Sequence, residues 1–178
     1  MFAGLKSWMR RSDSKQADAA KLYGNIMVAA RHPSLFGAGK FIDTYDGRIE
    51  ALTLYMAMIM GRLGDLGEDG ERLRQAIFDK MVDDFDVAMR EEGLSDTGIS
   101  RRIKPMIGLF YTRLKVYTDA FRSDPPKAAL QSCLEDIGMG AETDGFLDHF
   151  INYLLEMHGK INSMSLDNIL EVQFNYQD

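Results

Sequence analysis

Cysteine is almost missing from this chain: Cys133 is the only one among 178 residues. A single thiol excludes an intramolecular disulfide framework and any multi-cysteine zinc site. It is consistent with a reducing compartment. Valine is scarce as well, at five residues against twelve methionines. Few β-branched residues argue against a large sheet, whereas Met is compatible with helices. Long hydrophobic runs are missing too. The longest near-apolar stretch, Ala51 to Gly61, is interrupted by Thr53 and falls far short of the ~20 residues that span a bilayer. A net charge of −6 excludes a dedicated duplex-DNA binder, which needs a basic footprint, so no sequence-specific nucleic-acid partner is expected. The start, Met1 to Arg11, is no secretory signal, because its apolar stretch is short and its basic residues follow it. A soluble, cytoplasmic protein is expected.

What is present is an apolar content of 46%, that of an ordinary globular core in one domain. The charge is segmented. Residues 1–48 balance to +4, 64–95 to −6, 96–122 to +4 and 123–178 to −8. The chain is acidic with a basic start and a basic island.

Hydrophobic periodicity predicts an all-α fold, a single compact domain of about six helices over 15–178 with a short N-terminal extension. In the extension, residues 1–14, Phe2, Leu5, Trp8 and Met9 accompany Lys6, Arg10 and Arg11. Two readings stand: a frayed terminus, or a short interfacial helix with possible membrane contact through those four residues. Ser12 to Ser14 reads as a linker. A first helix is expected from Lys15 to Ala30, stopped by His32-Pro33. A second, capped by Asp46 or Thr44, should run from Gly47 to Leu63 and be the most buried, since it is apolar nearly all round from Ala51 to Met60. Its Met56, Met58 and Met60 suit either core packing or an adaptable client surface. Gly64 to Gly70 reads as a turn cluster. A third helix, Glu71 to Glu92, carries Leu73, Ile77, Met81, Phe85 and Ala88 on one face, with Gly93 as its C-terminal cap. A fourth, capped by Asp96 or Ser95, should reach Phe121 on a seam of Ile99, Ile103, Met106, Phe110, Leu114, Tyr117 and Phe121, kinked or restarted at Pro105. Pro126 to Asp136 and Thr143 or Asp144 to Ile161 complete the helices.

Catalytic signatures fail on inspection. Gly37-Ala38-Gly39-Lys40 lacks the first glycine and the final Ser or Thr of a phosphate loop. Asp65 to Gly70 lacks the bidentate Glu of a calcium loop, with Ala76 in its place. His149 and His158 fall on opposite helix faces. Cys133 has no basic partner nearby to activate it. Asp79, Asp83 and Asp86 share a ridge that suits a solvated face, or less simply a divalent ion in a metal-dependent enzyme. No enzyme, metal or cofactor is expected.

The informative stretch is Phe78 to Phe121. A tight Gly-Leu-Ser-Asp turn joins an acidic helix to a basic one. On the side away from its apolar seam, the second helix carries Arg101, Lys104, Gly108, Tyr111 and Lys115, flanked by Arg102 and Arg113. That ridge either packs on the acidic helix or docks a partner, since Arg and Tyr combine area with hydrogen bonds.

At these residues the sequence resembles the ubiquinol–cytochrome c chaperone family, in a bacterial-type form. Four stretches carry the resemblance. Asp46, Gly47, Arg48 and Glu50 match a helix start. Asp86, Arg90, Glu91, Gly93 and Asp96 match a helix end and turn. Arg101, Arg102, Lys104 and Met106 match a basic cluster, and Phe110, Tyr111 and Arg113 an aromatic–basic one. Pro105 and Thr112 depart from the family pattern. The resemblance spans about 35–121; the C-terminal third carries no such motif. It implies a non-catalytic assembly chaperone for the ubiquinol–cytochrome c reductase complex, with cytochrome b as client. The ribosome or the cytoplasmic face of the inner membrane would be a further contact. Arg101, Arg102, Lys104, Tyr111, Arg113 and Lys115 are then the partner-binding candidates. Asp46, Arg48, Glu50, Asp86, Arg90, Gly93 and Asp96 are structural motif residues. The rival reading is a membrane-surface protein binding lipid or small apolar ligands.

Overall fold

A computed structural model describes the backbone of residues 2–140 and 145–176, and side chains from residue 16 onward within those ranges. Among them are seven α-helices and no strand. They are α1 (Phe2–Ala30), α2 (Tyr45–Asp65), α3 (Gly67–Glu91), α4 (Asp96–Arg122), α5 (Pro126–Glu135), α6 (Phe146–Asn162) and α7 (Leu166–Ile169), with one 3₁₀ turn at Pro33–Leu35. The all-α expectation holds. The count rises by one because the tail adds the single turn of α7, whose cap Ser165 accepts from the Asn168 N–H.

α2 is the axis of the molecule. Every residue from Ile49 to Met60 is buried, and the helix packs against α1, α3, α4 and α6. Contact on all sides is what an apolar circumference requires. Met56, Met58 and Met60 lie in this core, so they are packing residues, each contributing about 1.5–3 kcal/mol when fully buried. Thr53 is buried with them and donates its hydroxyl to the Ile49 carbonyl at 2.7 Å. α1 presents Ala19, Leu22, Tyr23, Ile26 and Ala30, and α3 presents Leu73, Ile77 and Met81.

Several boundaries differ from the sequence reading. α1 runs through Ser12–Ser14 without a break and begins at Phe2; three polar residues with no Pro or Gly among them weaken a helix without stopping it. The side chains of Phe2, Leu5, Trp8 and Met9 lie outside the described residues. The seven-residue turn at 64–70 shrinks to Leu66, whose N–H closes α2 on the Leu63 carbonyl at 3.1 Å. The cap of α2 is Thr44, which accepts from the Gly47 N–H at 3.2 Å, and that of α4 is Ser95, accepting from Gly98 at 3.3 Å. α4 does not restart at Pro105; one helix passes through it. The expected α6 starts, Thr143 and Asp144, lie outside the described residues.

The C-terminal third is bound into the same core. Arg62 of α2 donates through Nε and Nη2 to the Met164 carbonyl at 3.0 and 2.8 Å. Asn25 of α1 donates to the Val172 carbonyl at 3.1 Å, and Lys21 pairs with Glu171 at 2.5 Å. The Tyr176 ring then sits among Phe146, Phe150 and Tyr153, with centroids 5.0–6.4 Å away. Lys40, from the glycine-rich 37–40 loop, donates to the Ser34 carbonyl at 2.8 Å and lies 4.3 Å from the Phe146 ring centroid, so its ammonium has a structural place.

Candidate docking site on α4

The site begins at the turn between α3 and α4. Gly93 takes φ +83°, the left-handed conformation that L side chains resist. Its N–H bonds the Arg90 carbonyl at 2.9 Å and the Leu94 N–H bonds Met89 at 3.1 Å, the paired closure of a Schellman motif. Arg90 straddles this turn. Its Nε donates to Asp86 and its Nη1 to Asp96, both at 2.6 Å. The two carboxylates hold its pKa above the ordinary guanidinium value. Asp86, Arg90, Gly93 and Asp96 are therefore gathered at one corner, where they set the angle at which α4 leaves.

A second anchor lies one helix deeper. Arg113 of α4 donates from Nε to Glu50 of α2, and the Tyr117 hydroxyl donates to the same carboxylate oxygen. Arg113 also donates from Nη2 to the Tyr117 oxygen at 2.9 Å. Both charged side chains are largely enclosed, 16% and 12% exposed. Burial and the adjacent Glu50 carboxylate push the Tyr117 hydroxyl well above its ordinary pKa. Burial opposes the Arg113 charge, but Tyr117 and Glu50 outweigh it and raise its pKa. Arg113 is thus turned into the domain, away from the ridge it was expected to flank. Its position is three residues after Phe110 and four before Tyr117, both on the buried seam.

The rest of the ridge faces outward. Arg101 and Lys104 are exposed, and neither has an ion pair among the described residues. Arg102 approaches Glu92 at 3.8 Å. The acids of α3 are instead engaged along their own helix: Lys80 with Asp84, Arg90 with Asp86, and the Gln75 amide with Asp79. Leu109 and Tyr111 are exposed beside the ridge, Tyr111 by 51%. The Tyr111 ring is 5.2 Å from Phe78 of α3. A groove of about 430 Å³ lies between α3 and α4, floored by Met60, Phe78 and Leu114. Its rim is polar and internally paired, Glu71 with Arg74 at 2.7 Å and Lys115 with Asp119 at 2.5 Å. Exposed apolar surface ringed by satisfied polar groups is the anatomy of a protein interface.

At the start of α2, Arg48 pairs with Asp43 at 2.8 Å and Asp46 is exposed in the first turn. Gly47 has a steric reason: a Cβ there would stand 2.0 Å from the Ile42 carbonyl oxygen. Phe78 and Leu109 were not singled out from sequence, because each reads as one more apolar position until α3 and α4 are set side by side. The other chemistry-bearing residues do not converge. Among the described residues, no three His, Cys, Asp or Glu side chains are arranged to hold a metal ion. Cys133 is half-buried, and burial pushes its thiol pKa up, opposite to what activates a nucleophile. His158 stacks on Phe121, with ring centroids 4.6 Å apart.

The chain was compared with known proteins. A model of the family described as ubiquinol-cytochrome C chaperone matches residues 39–176. That match continues through the C-terminal third, which the sequence motifs did not reach. Among solved structures, the Cbp3 homolog from Brucella abortus is similar at 26% identity, with a TM-score of 0.77, covering 98% of this chain and 96% of that one. The comparison with curated proteins gives no match. With the family model spanning most of the helical core and both anchors of α4, this chain belongs to the ubiquinol-cytochrome C chaperone family.

Proposed function

We propose that the protein is a non-catalytic assembly chaperone that binds cytochrome b through the outer face of α4 and passes it on during biogenesis of the ubiquinol–cytochrome c reductase complex. One observation carries the choice of surface. Among the described residues Arg101 and Lys104 have no ion pair, and they stand beside exposed Leu109 and Tyr111 on a helix fixed by Arg90 at its start and by Arg113 in its second half. A rigid face with unspent hydrogen-bond donors and open apolar area suits a polypeptide client. Arg102, Tyr111 and Lys115 extend the contact. Arg113 acts through Glu50, by holding α4 in place. The protein works in the cytoplasm, at the inner-membrane surface, where Trp8 and its neighbours would supply the apolar contact.

Deletion of the protein followed by assay of haem b and the assembled complex tests this directly. Loss of cytochrome b is expected; normal cytochrome b levels overturn the reading. Truncation of residues 1–11 tests the membrane contact, and unchanged membrane fractionation removes it.

A further inference from the structure

The outer stripe of α4 and the groove beside it form one surface. Arg101, Lys104, Gly108, Tyr111 and Lys115 follow at steps of three and four, so they share a helix face. All five are exposed. Tyr111 and Lys115 also line the groove of about 430 Å³ between α3 and α4. The stripe therefore runs out of the groove toward the start of α4. From Arg101 to Lys115 it covers about 21 Å, at ~1.5 Å per residue.

Its two ends differ in chemistry. At the groove, Met60, Phe78 and Leu114 offer apolar area, and the charged rim is closed on itself, Glu71 with Arg74 and Lys115 with Asp119. At the far end, Arg101 and Lys104 have no ion pair among the described residues. The facing helix does not answer them. Asp79, Asp84 and Asp86 of α3 are engaged by Gln75, Lys80 and Arg90, and Glu92 faces Arg102. Glu91 lies in the cleft between α1, α2 and α3. Asp83 is the acid left open on α3, against two cations on α4. The surplus charge of the surface is positive, in a chain whose net charge is −6.

The walls also select the form of an occupant. Both are α-helices, whose interior N–H and C=O groups are bonded within each helix. No strand edge is open to an extended peptide, so a segment that satisfies its own backbone fits better. Its apolar residues at i, i+3 or i+4, and i+7 match the spacing of the stripe. Gly108 keeps the middle of the stripe low. A Cβ there would meet nothing within 4 Å, so no contact inside the domain requires the glycine.

We propose that this surface recognises an acidic amphipathic helix of its polypeptide partner, about four turns long. The proposal rests on the reading of α4 as the docking face. The apolar side chains of the helix seat on Met60, Phe78 and Leu114 beside Tyr111. Its carboxylates, two to three turns away, meet Lys104 and Arg101. Its backbone passes over Gly108.

The full chain is titrated into labelled synthetic helical peptides of about 18 residues, read by fluorescence anisotropy. One carries an apolar stripe with Glu on its flanks. A second has every Glu replaced by Lys, and a third scrambles the first so that the stripe is lost. The acidic peptide should bind about tenfold tighter than either, although the net charge of the chain favours the basic one. Arg101→Glu with Lys104→Glu should reverse the preference. Gly108→Gln, with its side chain in open space, should weaken acidic binding without lowering the melting temperature. Basic or scrambled peptide binding as tightly as the acidic one overturns the proposal. So does acidic binding that neither the charge reversal nor Gly108→Gln changes. Co-purification of cytochrome b is read in parallel. Co-purification that depends on Arg101 and Lys104, without an acidic preference, overturns the helix proposal alone. An acidic preference without co-purification overturns cytochrome b as client and leaves the helix proposal standing.

Discussion

Arg113 and Glu50, 63 residues apart in the chain, meet as an ion pair inside the domain, with the Tyr117 hydroxyl on the same carboxylate oxygen. This pair ties α4 to the central helix. Breaking a buried pair from one side leaves a charge without compensation.

Glu50→Ala or Arg113→Ala should therefore cost about 3–5 kcal/mol in urea denaturation. Removing both charges together, Glu50→Leu with Arg113→Met, should recover much of that loss, giving a large coupling energy in a double-mutant cycle. Additive losses would mean that the two side chains do not share one interaction.

The turn and the α2 start make a second pair of tests. Gly93→Ala places a Cβ at φ +83° and should cost about 1–2 kcal/mol. Gly47→Ala must also push aside the Ile42 carbonyl, 2.0 Å from the new carbon, and should lower the melting temperature more. Equal melting curves for the two variants would contradict the close approach at Gly47.

Charge reversal separates client contact from stability. Arg101→Glu with Lys104→Glu should leave the melting temperature within about 2 °C, as expected for exposed residues without partners. It should sharply reduce co-purification of cytochrome b. Unchanged co-purification would remove α4 from the docking surface.

His158 makes a pH prediction. Burial first, and Arg122 second, lower its pKa below the ordinary 6.5. The unfolded chain then binds the proton more readily than the folded one, so the neutral imidazole favours the fold above pH 6.5. That contribution is lost as pH falls through the lower folded value. His158→Phe, which keeps the ring stacked on Phe121, should flatten the stability slope below about pH 6.5 in urea titrations at stepped pH. An unchanged slope would assign the acid sensitivity to other groups.

The helical faces were readable because burial follows the 3.6-residue period. Leu73, Ile77 and Met81 of α3 are core residues, as their spacing requires. The α4 seam was legible in its second half, where Phe110, Tyr117 and Phe121 are buried. Ile99 at the start of the seam is buried as well, whereas Ile103, Met106 and Leu114 are only half-buried. The 12–14 break was misread because a polar patch on a long helix resembles a linker when neighbours are unknown. Arg113 was counted among the partner-binding candidates as a flank of the ridge, although its spacing from Phe110 and Tyr117 already put it beside the seam. Glu50, an acid directly before the apolar run from Ala51 to Met60, was the matching signal.

The sequence by itself determined the all-α class, the central position of α2, the turn at Gly93 and the family resemblance. The first three follow from composition, periodicity and local backbone chemistry, which act within a few residues; the resemblance rests on the matched motifs alone. Only the tertiary structure decided that Arg113 points inward while Arg101 and Lys104 face outward. It alone joined the C-terminal third to α1 and α2. Each of these depends on which groups distant in the chain share a small volume, and pairing, desolvation and steric exclusion act at that range.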